Sequence, residues 1–325
     1  MPLFPLFRLP LVALAHTLEC MDPIMLFNLS QCSSYSTKCV KLANTKTMKL
    51  SIFGDRVSLN CYHFYACEAR GFHGYIPDGT RKIHNTDARV GKYNWHDSIH
   101  IEFDDVTTGV LNIMLHLTEL FGCPVDSFEY TSRQSTRYYG MVMGTIMERQ
   151  GGIKKFKLGV VYHYEYKWIM ENVKVLEEFV TEDNAPVDVD FLRGLKLLDC
   201  NSNNIGLNHL VMASKSCEAI FIRKSVLTIE DLNVYLNMWK SGSFPNLQFF
   251  TIRSNVQWFN GGGQILGFTK RQLQTKRAIE RKYVRGRVAL IKDGVEIQGS
   301  DGSRALIGIQ STRMNEVEQF VLYTL

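Results

Sequence analysis

Residues Leu207 to Ile252, LNHLVMASKSCEAIFIRKSVLTIEDLNVYLNMWKSGSFPNLQFFTI, decide how the second half of the chain folds. Two short runs rich in Ile and Phe, CEAIFIRKS and FPNLQFFTI, have the length and composition of β-strands. Between them lies a helix pattern, in which Thr228 and Asp231 form a capping box and Gly242 follows the last turn. A strand, a crossover helix and a second strand make the unit from which parallel sheets are built. The inner face of the helix is predicted to consist of Leu232, Tyr235, Leu236 and Trp239.

The same apolar spacing recurs before this stretch. The leucine-rich-repeat template places apolar residues at its first, fourth and sixth positions. An irregular step separates two of the units, and Arg133, Val161 and Ile252 replace the template's asparagine in three of them. Residues 125–255 are therefore expected to form either a leucine-rich-repeat-like stack of strands and helices or an ordinary α/β sheet without a repeat. The matching segments start at Val125, Ile153, Leu192, Cys217 and Phe244, with a weaker match at Leu176.

Strand patterns flank this region on both sides. Residues 48–106 alternate between apolar and polar, with a hairpin turn at Gly54-Asp55, and residues 107–122 follow as a helix. Residues 283–325 alternate again and contain two Asp-Gly turns, so they are expected to be antiparallel strands that join the early ones. The predicted fold class is α+β or α/β, with three N-terminal helices, a repeat-like stack and antiparallel strands at its ends.

Residues 9–42 are predicted to form three short amphipathic helices. Pro10 suits a first helical turn, and Asp22-Pro23 ends the first helix and caps the second. Three short helices bury little apolar surface by themselves, so either the rest of the chain or another protein must cover them. A cleaved signal peptide is the third alternative, against which the short apolar run of residues 9–15 argues. The apolar stripe of the first helix is Leu11, Leu14, Ala15, Leu18 and Met21.

The order of residues in this segment resembles the F-box, which has a Leu-Pro pair, an Asp-Pro break and a second helix that carries leucines. Ala13 and Thr17 depart from the pattern, because an F-box usually has larger aliphatic residues there. From about residue 45 onward the chain is similar to the nematode F-box-associated domain of the second type, above all in Leu207–Ile252 and in Leu117–Ser127. The residues that match the F-box are Leu9, Pro10, Leu14, Leu18, Met21, Asp22, Pro23, Leu26, Leu29 and Cys32.

The resemblance implies an F-box at residues 3–43 and an F-box-associated domain at residues 45–325. It implies a non-catalytic adaptor of a ubiquitin ligase, which binds a Skp-type adaptor and, through it, a cullin, and which presents a target protein. The alternative is a protein-interaction module without a ligase role, whose N-terminal helices pack on their own domain. The implied adaptor-binding residues are Leu9, Pro10, Leu14, Leu18, Met21, Pro23, Leu26 and Leu29.

Composition and motifs indicate no catalytic or metal chemistry. The net charge of +5 and the 45% apolar content are ordinary for a globular protein. Eight scattered cysteines without a C-x-x-C pair favour reduced thiols in the cytoplasm or nucleus. The sequence has no phosphate loop, nucleophile elbow or HExxH motif, so we expect no enzyme activity, no cofactor and no metal. The nearest approach to a zinc site, with non-standard spacing, is Cys61, His63, Cys67 and His73.

The stretch TKRQLQTKRAIERKYVRGR, residues 269–287, is strongly basic. On a helix, such a run would bind nucleic acid or an acidic partner, or it would simply face solvent. No aromatic interleaving or nucleic-acid motif accompanies it, which favours an acidic or phosphorylated protein segment over nucleic acid. No apolar run in the chain reaches the length of a membrane-spanning helix.

Overall fold

A computed structural model of the chain describes residues 5–68, 75–93, 98–130, 136–160, 162–182, 184, 186–253, 258–259, 262–274, 278–285, 287–292, 294–311 and 318–325. The contacts divide the chain into two compact units, residues 1–153 and 154–325. The mixed α/β class is confirmed. The predicted domain boundary near residue 44 falls inside the first unit and stays a prediction.

The first unit begins with three helices, α1 (Leu11–Glu19), α2 (Pro23–Ser30) and α3 (Ser34–Val40). The carboxylate of Asp22 accepts a hydrogen bond from the N–H of Met25, and Pro23 occupies the first position of α2, where no N–H is needed. Ser33 and Ser36 cap α3 reciprocally, because the hydroxyl of each accepts from the backbone N–H of the other. These local signals explain why the helix boundaries could be read from the sequence.

Seven strands of a mixed sheet follow in the first unit. Its strands are β1 (Leu50–Phe53), β2 (Arg56–Leu59), β3 (Tyr62–Glu68), β4 (Tyr75–Ile83), β5 (Thr86–Tyr93), β6 (Ser98–Phe103) and β7 (Val125–Tyr130). They pair in the order β7-β1-β2-β3-β6-β5-β4, with β1–β7 and β3–β6 parallel. The helix α4 (Val106–Phe121) connects β6 to β7 and ends at Gly122, whose φ of 64° is a left-handed conformation that glycine adopts without strain. The helix α5 (Thr136–Gln150) completes the unit.

The second unit alternates strands with helices. Its elements are β8 (Ile153–Leu158), α6 (His163–Asn172), β9 (Val175–Thr181), β10 (Leu197–Asn201), α7 (Leu207–Ser214), β11 (Ala219–Lys224), α8 (Ile229–Lys240) and β12 (Phe249–Arg253). The pairs β9–β10, β10–β11 and β11–β12 are all parallel. Thr228 and Asp231 cap α8, and Leu232, Tyr235, Leu236 and Trp239 are its buried residues, as the sequence predicts.

At β10, the observed strand pairing places the apolar repeat template three residues later than the sequence analysis expected. Cys200 lies opposite Ile222 of β11, so the two residues occupy the same template position. The template of β10 therefore starts at Leu195, and the expected start at Leu192 is wrong. The weaker match at Leu176 does coincide with a strand, β9, which divides the irregular step of the sequence pattern.

The same shift occurs at β12, where Ile252 lies opposite Ile222. The template of β12 starts at Leu247 instead of Phe244. The sequence misleads here because Leu197 and Phe249, on the opposite face of these strands, are also apolar and buried. When both faces of a strand are covered, apolar residues occur at neighbouring positions and two registers fit the template about equally well.

The remaining strands attach to the far edge of the parallel sheet. They are β15 (Val295–Gln298), β16 (Arg304–Ser311) and β17 (Glu318–Thr324), in the order β15-β16-β17-β12, with each neighbouring pair antiparallel. The expectation that the tail joins the early strands is therefore wrong, since β17 pairs with β12. A short helix α9 (Lys270–Leu273) and a two-stranded ribbon of β13 (Ala278–Val284) and β14 (Arg287–Lys292) lie between β12 and β15 in the sequence.

Candidate functional site

The N-terminal helices pack against the sheet and α4 of their own unit. The ring of Phe27, which is 1% exposed, meets Phe64 of β3 and His116 of α4 edge-on, with centroids 5.3 and 5.7 Å apart. The Gln31 side chain contacts Nε2 of His116 at 3.1 Å, and Arg81 of β4 donates a hydrogen bond to the side chain of Asn28. The apolar face of these helices is therefore covered largely by the chain itself.

The eight predicted adaptor-binding residues divide between the interior and the surface. Leu14, Leu18 and Leu26 are at most 3% exposed, and Pro23 is also buried. These four residues therefore have almost no exposed surface in the structure. Leu9, Met21 and Leu29 are half-buried, and Pro10 is exposed. Whether any of the eight residues contacts an adaptor stays a prediction.

Four other large apolar side chains of the helices are exposed, and we call them the N-terminal helix surface. Leu11 and Val12 of α1 are 66% and 69% exposed, and Met25 of α2 and Tyr35 of α3 are each 57% exposed. Tyr35 packs edge-on against the ring of Phe7, with centroids 5.6 Å apart, which ties α3 to the turn before α1. Contiguous exposed apolar patches mark protein-interaction surfaces, and these four side chains are the large apolar ones that these helices offer to such a patch.

A half-buried histidine, His116 of α4, contacts these helices. The N–H of His84 donates to Nδ1 of His116 at 3.2 Å, so this nitrogen must keep its lone pair. Burial lowers the pKa of His116 to about 4, with the His84 charge acting in the same direction and that of Glu119 opposing it. Glu119 also lies 3.3 Å from Nδ1 of His84 and 3.1 Å from Nη2 of Arg149. His116 is therefore uncharged at neutral pH.

In the second unit, one face of the sheet carries a cluster of apolar residues that we call the apolar cluster. It consists of Val180, Leu197, Ala219, Phe249, Val284 and Val321, with Phe221 and Tyr323 packed against it. The strands β9 to β12 and β17 supply all of these except Val284, which is the last residue of β13. The β13–β14 ribbon thus contributes to the covering of this end of the sheet face.

An arginine at the turn between β13 and β14 forms ion pairs that hold the ribbon against the sheet. Arg285 has a φ of 49°, which is unusual for a residue other than glycine. Its Nε lies 3.1 Å from a carboxylate oxygen of Glu218, and its Nη1 lies 3.3 Å from Glu178 and 3.4 Å from Glu177. Three acidic side chains of the same unit therefore hold one guanidinium, which is only 19% exposed.

Further along the same sheet face an open pocket of about 410 Å³ remains, which we call the arginine pocket. Arg223 of β11 binds Asp199 of β10 with two hydrogen bonds, Nε to Oδ1 at 2.9 Å and Nη2 to Oδ2 at 2.8 Å. Asp199 is 3% exposed, whereas the Arg223 side chain is 43% exposed. Hydrogen bonding to Asp199 raises the pKa of Arg223, which burial opposes. The residues that line the pocket are Asp199, Phe221, Ile222, Arg223, Thr251, Arg253 and Gln319.

A chain of hydrogen bonds positions the second arginine of the pocket. The Arg253 Nε donates to Oε1 of Gln319 at 3.1 Å, and the amide nitrogen of Gln319 donates to Oγ1 of Thr251 at 2.7 Å. The Thr251 hydroxyl in turn donates to the carbonyl of Phe320 at 3.0 Å. Sequence analysis missed this site. The available signal was the repetition of an arginine directly after the last apolar strand position, in IFIR and FFTIR.

The basic stretch does not form the expected helix. Only Lys270–Leu273 is helical, and residues 278–284 and 287–292 form the two strands of the ribbon. Arg285, the member of the stretch with the most ion pairs in the described part of the chain, binds glutamates of its own chain. Lys276 and Arg277 lie outside the described residues. The prediction that this stretch binds an acidic partner as a helix is wrong in its secondary structure.

The cysteines give no indication of nucleophilic chemistry. All eight are free, and five of them are buried. Burial raises the pKa of Cys67 and Cys123 to about 11, and that of Cys200 and Cys217 to about 12. These four thiols therefore stay protonated at neutral pH, and a protonated thiol is a poor nucleophile.

The described part of the chain also holds no obvious metal or membrane site. Within it, no group of three or more His, Cys, Asp or Glu side chains is placed to hold a metal ion. Cys61 is exposed and His63 contacts Ser58, while His73 lies outside the described residues. None of the described helices is both long and apolar enough to cross a bilayer.

A family model described as F-box associated matches residues 189–252, which are 64 of the 325 residues. The matched segment runs from the turn before β10 to Ile252 of β12. It includes Asp199, Phe221, Arg223 and Thr251 of the arginine pocket and ends one residue before Arg253. No curated protein and no solved structure matches the chain. The match supports an F-box-associated protein, a class that is generally non-catalytic.

Proposed function

We propose that this chain is a non-catalytic substrate-recognition adaptor of a Skp-cullin-F-box ubiquitin ligase. The observation that carries the proposal is the F-box-associated match at residues 189–252, preceded in the same chain by three short helices with exposed apolar residues. In this function, residues 3–43 act as an F-box that binds a Skp-type adaptor and, through it, a cullin. The second unit binds a target protein and brings it close to ubiquitin transfer performed by other subunits.

The proposal assigns the adaptor contact to exposed side chains. Leu11, Val12, Met25 and Tyr35 are exposed, together with Pro10, whereas Leu14 and Leu18 are buried. Interfaces concentrate their binding energy in a few central side chains that become buried on association, so exposed apolar residues are the candidates. The proposed cellular location is the cytoplasm or nucleus, which suits a chain whose eight cysteines are all free.

The test is association of the full-length chain with a purified Skp-type adaptor, measured by size-exclusion chromatography. We expect a stoichiometric complex that the double variant Leu11→Asp with Val12→Asp does not form. The matched control is Val234→Asp on α8, which also places a charge at an exposed valine, 49% exposed, and should bind normally. Binding by the double variant, or no binding by the unmodified chain, would contradict the proposal.

Deletion of the first 44 residues is a poor test of the same point. Phe64 and His116 contact Phe27 and Gln31, and removal of the helices would expose them to water. A truncated chain that fails to bind would therefore report either a lost contact or a damaged first unit. Surface substitutions separate these effects because they leave Leu14, Leu18 and Phe27 in place.

The second candidate function is a protein-interaction module without a ligase role. The packing of Phe27 against Phe64 and His116 favours it, since the helices find an apolar partner in their own unit. It predicts a folded full-length chain, with a cooperative unfolding transition, that does not associate with the adaptor. The same chromatography experiment therefore distinguishes the two functions.

A further inference from the structure

Two arginines reach the same side of the sheet from neighbouring strands. Ile222 of β11 lies opposite Ile252 of β12, and the next residue in each strand is an arginine, Arg223 and Arg253. Neighbouring strands lie about 4.8 Å apart, so two guanidinium groups are brought close together. Like charges at such positions repel each other unless an anion compensates them.

Among the residues that the structure describes, a carboxylate is hydrogen-bonded to one of the two guanidinium groups and not to the other. Asp199 accepts from Nε and Nη2 of Arg223, while Nε of Arg253 donates to the neutral amide of Gln319. Within the part of the chain that the structure describes, Nη1 of Arg223 and both terminal nitrogens of Arg253 have no hydrogen-bond partner. The lining thus carries two positive charges and one negative charge, with N–H donors left over.

These donors are held in place before any ligand arrives. Asp199 is almost fully buried and fixes the Arg223 guanidinium with two hydrogen bonds. Gln319 bridges Arg253 and Thr251, so the second guanidinium is also oriented. Pre-ordered donors lose little conformational entropy on binding, and the planar fork of a guanidinium matches the paired oxygens of a carboxylate or phosphate.

We propose that the arginine pocket binds an anionic side chain, a carboxylate or a phosphate ester, of an acidic peptide segment in the target protein. The inference rests on the proposed function, because it names the target chemistry of the second unit. A pocket of about 410 Å³ has room for such a side chain and its neighbours in sequence. The half-buried Phe221 is the aromatic residue of the lining and packs against the apolar cluster, so the pocket lacks the stacking platform that single-stranded nucleic acid uses.

The test uses three immobilised degenerate peptide libraries that differ only at a fixed central residue, which is phosphoserine, glutamate or serine. The full-length chain should be retained by the phosphoserine library, the glutamate library or both, and not by the serine library. Comparison of the first two shows whether a phosphate or a carboxylate is preferred. Arg253→Gln should reduce retention about tenfold or more, as expected for loss of charge-assisted hydrogen bonds.

The matched control is Lys224→Gln, which removes the same charge from the next residue after Arg223, at an exposed position outside the pocket lining. It should retain binding within about twofold, as is usual for an exposed charge away from the contact. Equal losses in Arg253→Gln and Lys224→Gln would show a diffuse charge effect and overturn the proposal. Failure of all three libraries to retain the chain, or stronger retention by single-stranded oligonucleotides, would overturn it as well.

Adaptor binding is measured on the same preparations. Arg253→Gln should bind the Skp-type adaptor normally, and the Leu11→Asp with Val12→Asp variant should bind the peptide libraries normally. If the unmodified chain does not bind the adaptor, the proposed ligase function is contradicted. If it binds the adaptor but none of the peptide libraries, only the proposed role of the arginine pocket is contradicted.

Discussion

The N-terminal helix surface and the arginine pocket differ both in what they expose and in what lies beneath. The first exposes Leu11, Val12, Met25 and Tyr35 above a core that contains Phe27. The second exposes part of two guanidinium groups above a buried carboxylate. An apolar surface binds by excluding water and tolerates salt, whereas a charged pocket binds through oriented donors and weakens as salt screens it. The two surfaces are therefore suited to different partners and can be disabled separately.

The largest expected effect on stability comes from Phe27, which packs beneath the N-terminal helix surface. Phe27→Ala should lower the free energy of unfolding by about 3–5 kcal/mol, because it leaves a cavity between α2, β3 and α4. Chemical denaturation followed by circular dichroism measures it. Met25→Ala, on the same helix but 57% exposed, should change the stability by no more than about 0.5 kcal/mol. Similar effects of the two substitutions would mean that the helices do not pack on the first unit.

The next largest expected effect is a pH dependence of the free energy of unfolding that arises from His116, next to the N-terminal helices. His116 has a pKa of about 4 in the folded chain and an ordinary value near 6.5 when unfolded. The unfolded state therefore binds the extra proton first, so this contribution to stability is complete above about pH 6.5 and is lost as the pH falls toward 4. The loss amounts to up to about 3 kcal/mol.

Denaturation of the unmodified chain and of His116→Gln at a series of pH values isolates this contribution. The difference between the two chains should shrink on acidification, since glutamine has no proton to gain. A constant difference between pH 7 and pH 4 would contradict the assignment of the pH dependence to His116.

A smaller effect is expected beneath the arginine pocket. Asp199→Asn should cost about 1–2 kcal/mol, because it removes the charge that holds Arg223, whose side chain remains partly in contact with water. A double-mutant cycle with Arg223→Gln measures the interaction directly. If the effects of the two substitutions simply add, the pair contributes nothing to positioning the pocket.

The smallest expected effect on stability concerns the β13–β14 ribbon, which helps to cover the apolar cluster. Arg285→Ala should lower stability by about 1 kcal/mol, because it removes the ion pairs of one guanidinium with three glutamates. The loss stays small because Lys196 and Lys155 still pair with Glu177 and Glu178. Arg304→Ala is the control, since its ion pair with Glu296 is more than half exposed and should contribute less than about 0.5 kcal/mol. Raising the salt concentration should narrow the gap between the two variants, and an unchanged gap would contradict an electrostatic origin.

Local signals in the sequence determined the ends of helices and turns. Asp22-Pro23, the Thr228–Asp231 capping box and Gly122 each act within one turn of the backbone, so their effects did not depend on distant residues. The hairpin at Gly54-Asp55 was readable for the same reason. The β11–α8–β12 unit also followed from the sequence, because a capping box marks the start of α8 and the flanking runs are short and rich in Ile and Phe.

Only the tertiary structure decided which apolar residues are buried and which charged residues meet. Leu11 and Leu14 lie in one helix and look alike in sequence, yet the first is 66% exposed and the second 3%, because the partner surface lies on one side only. The registers of β10 and β12 were ambiguous because the apolar cluster covers the second face of those strands. Asp199, Arg223 and Arg253 lie in three different strands, and the pocket they form exists only because parallel pairing aligns the ends of those strands.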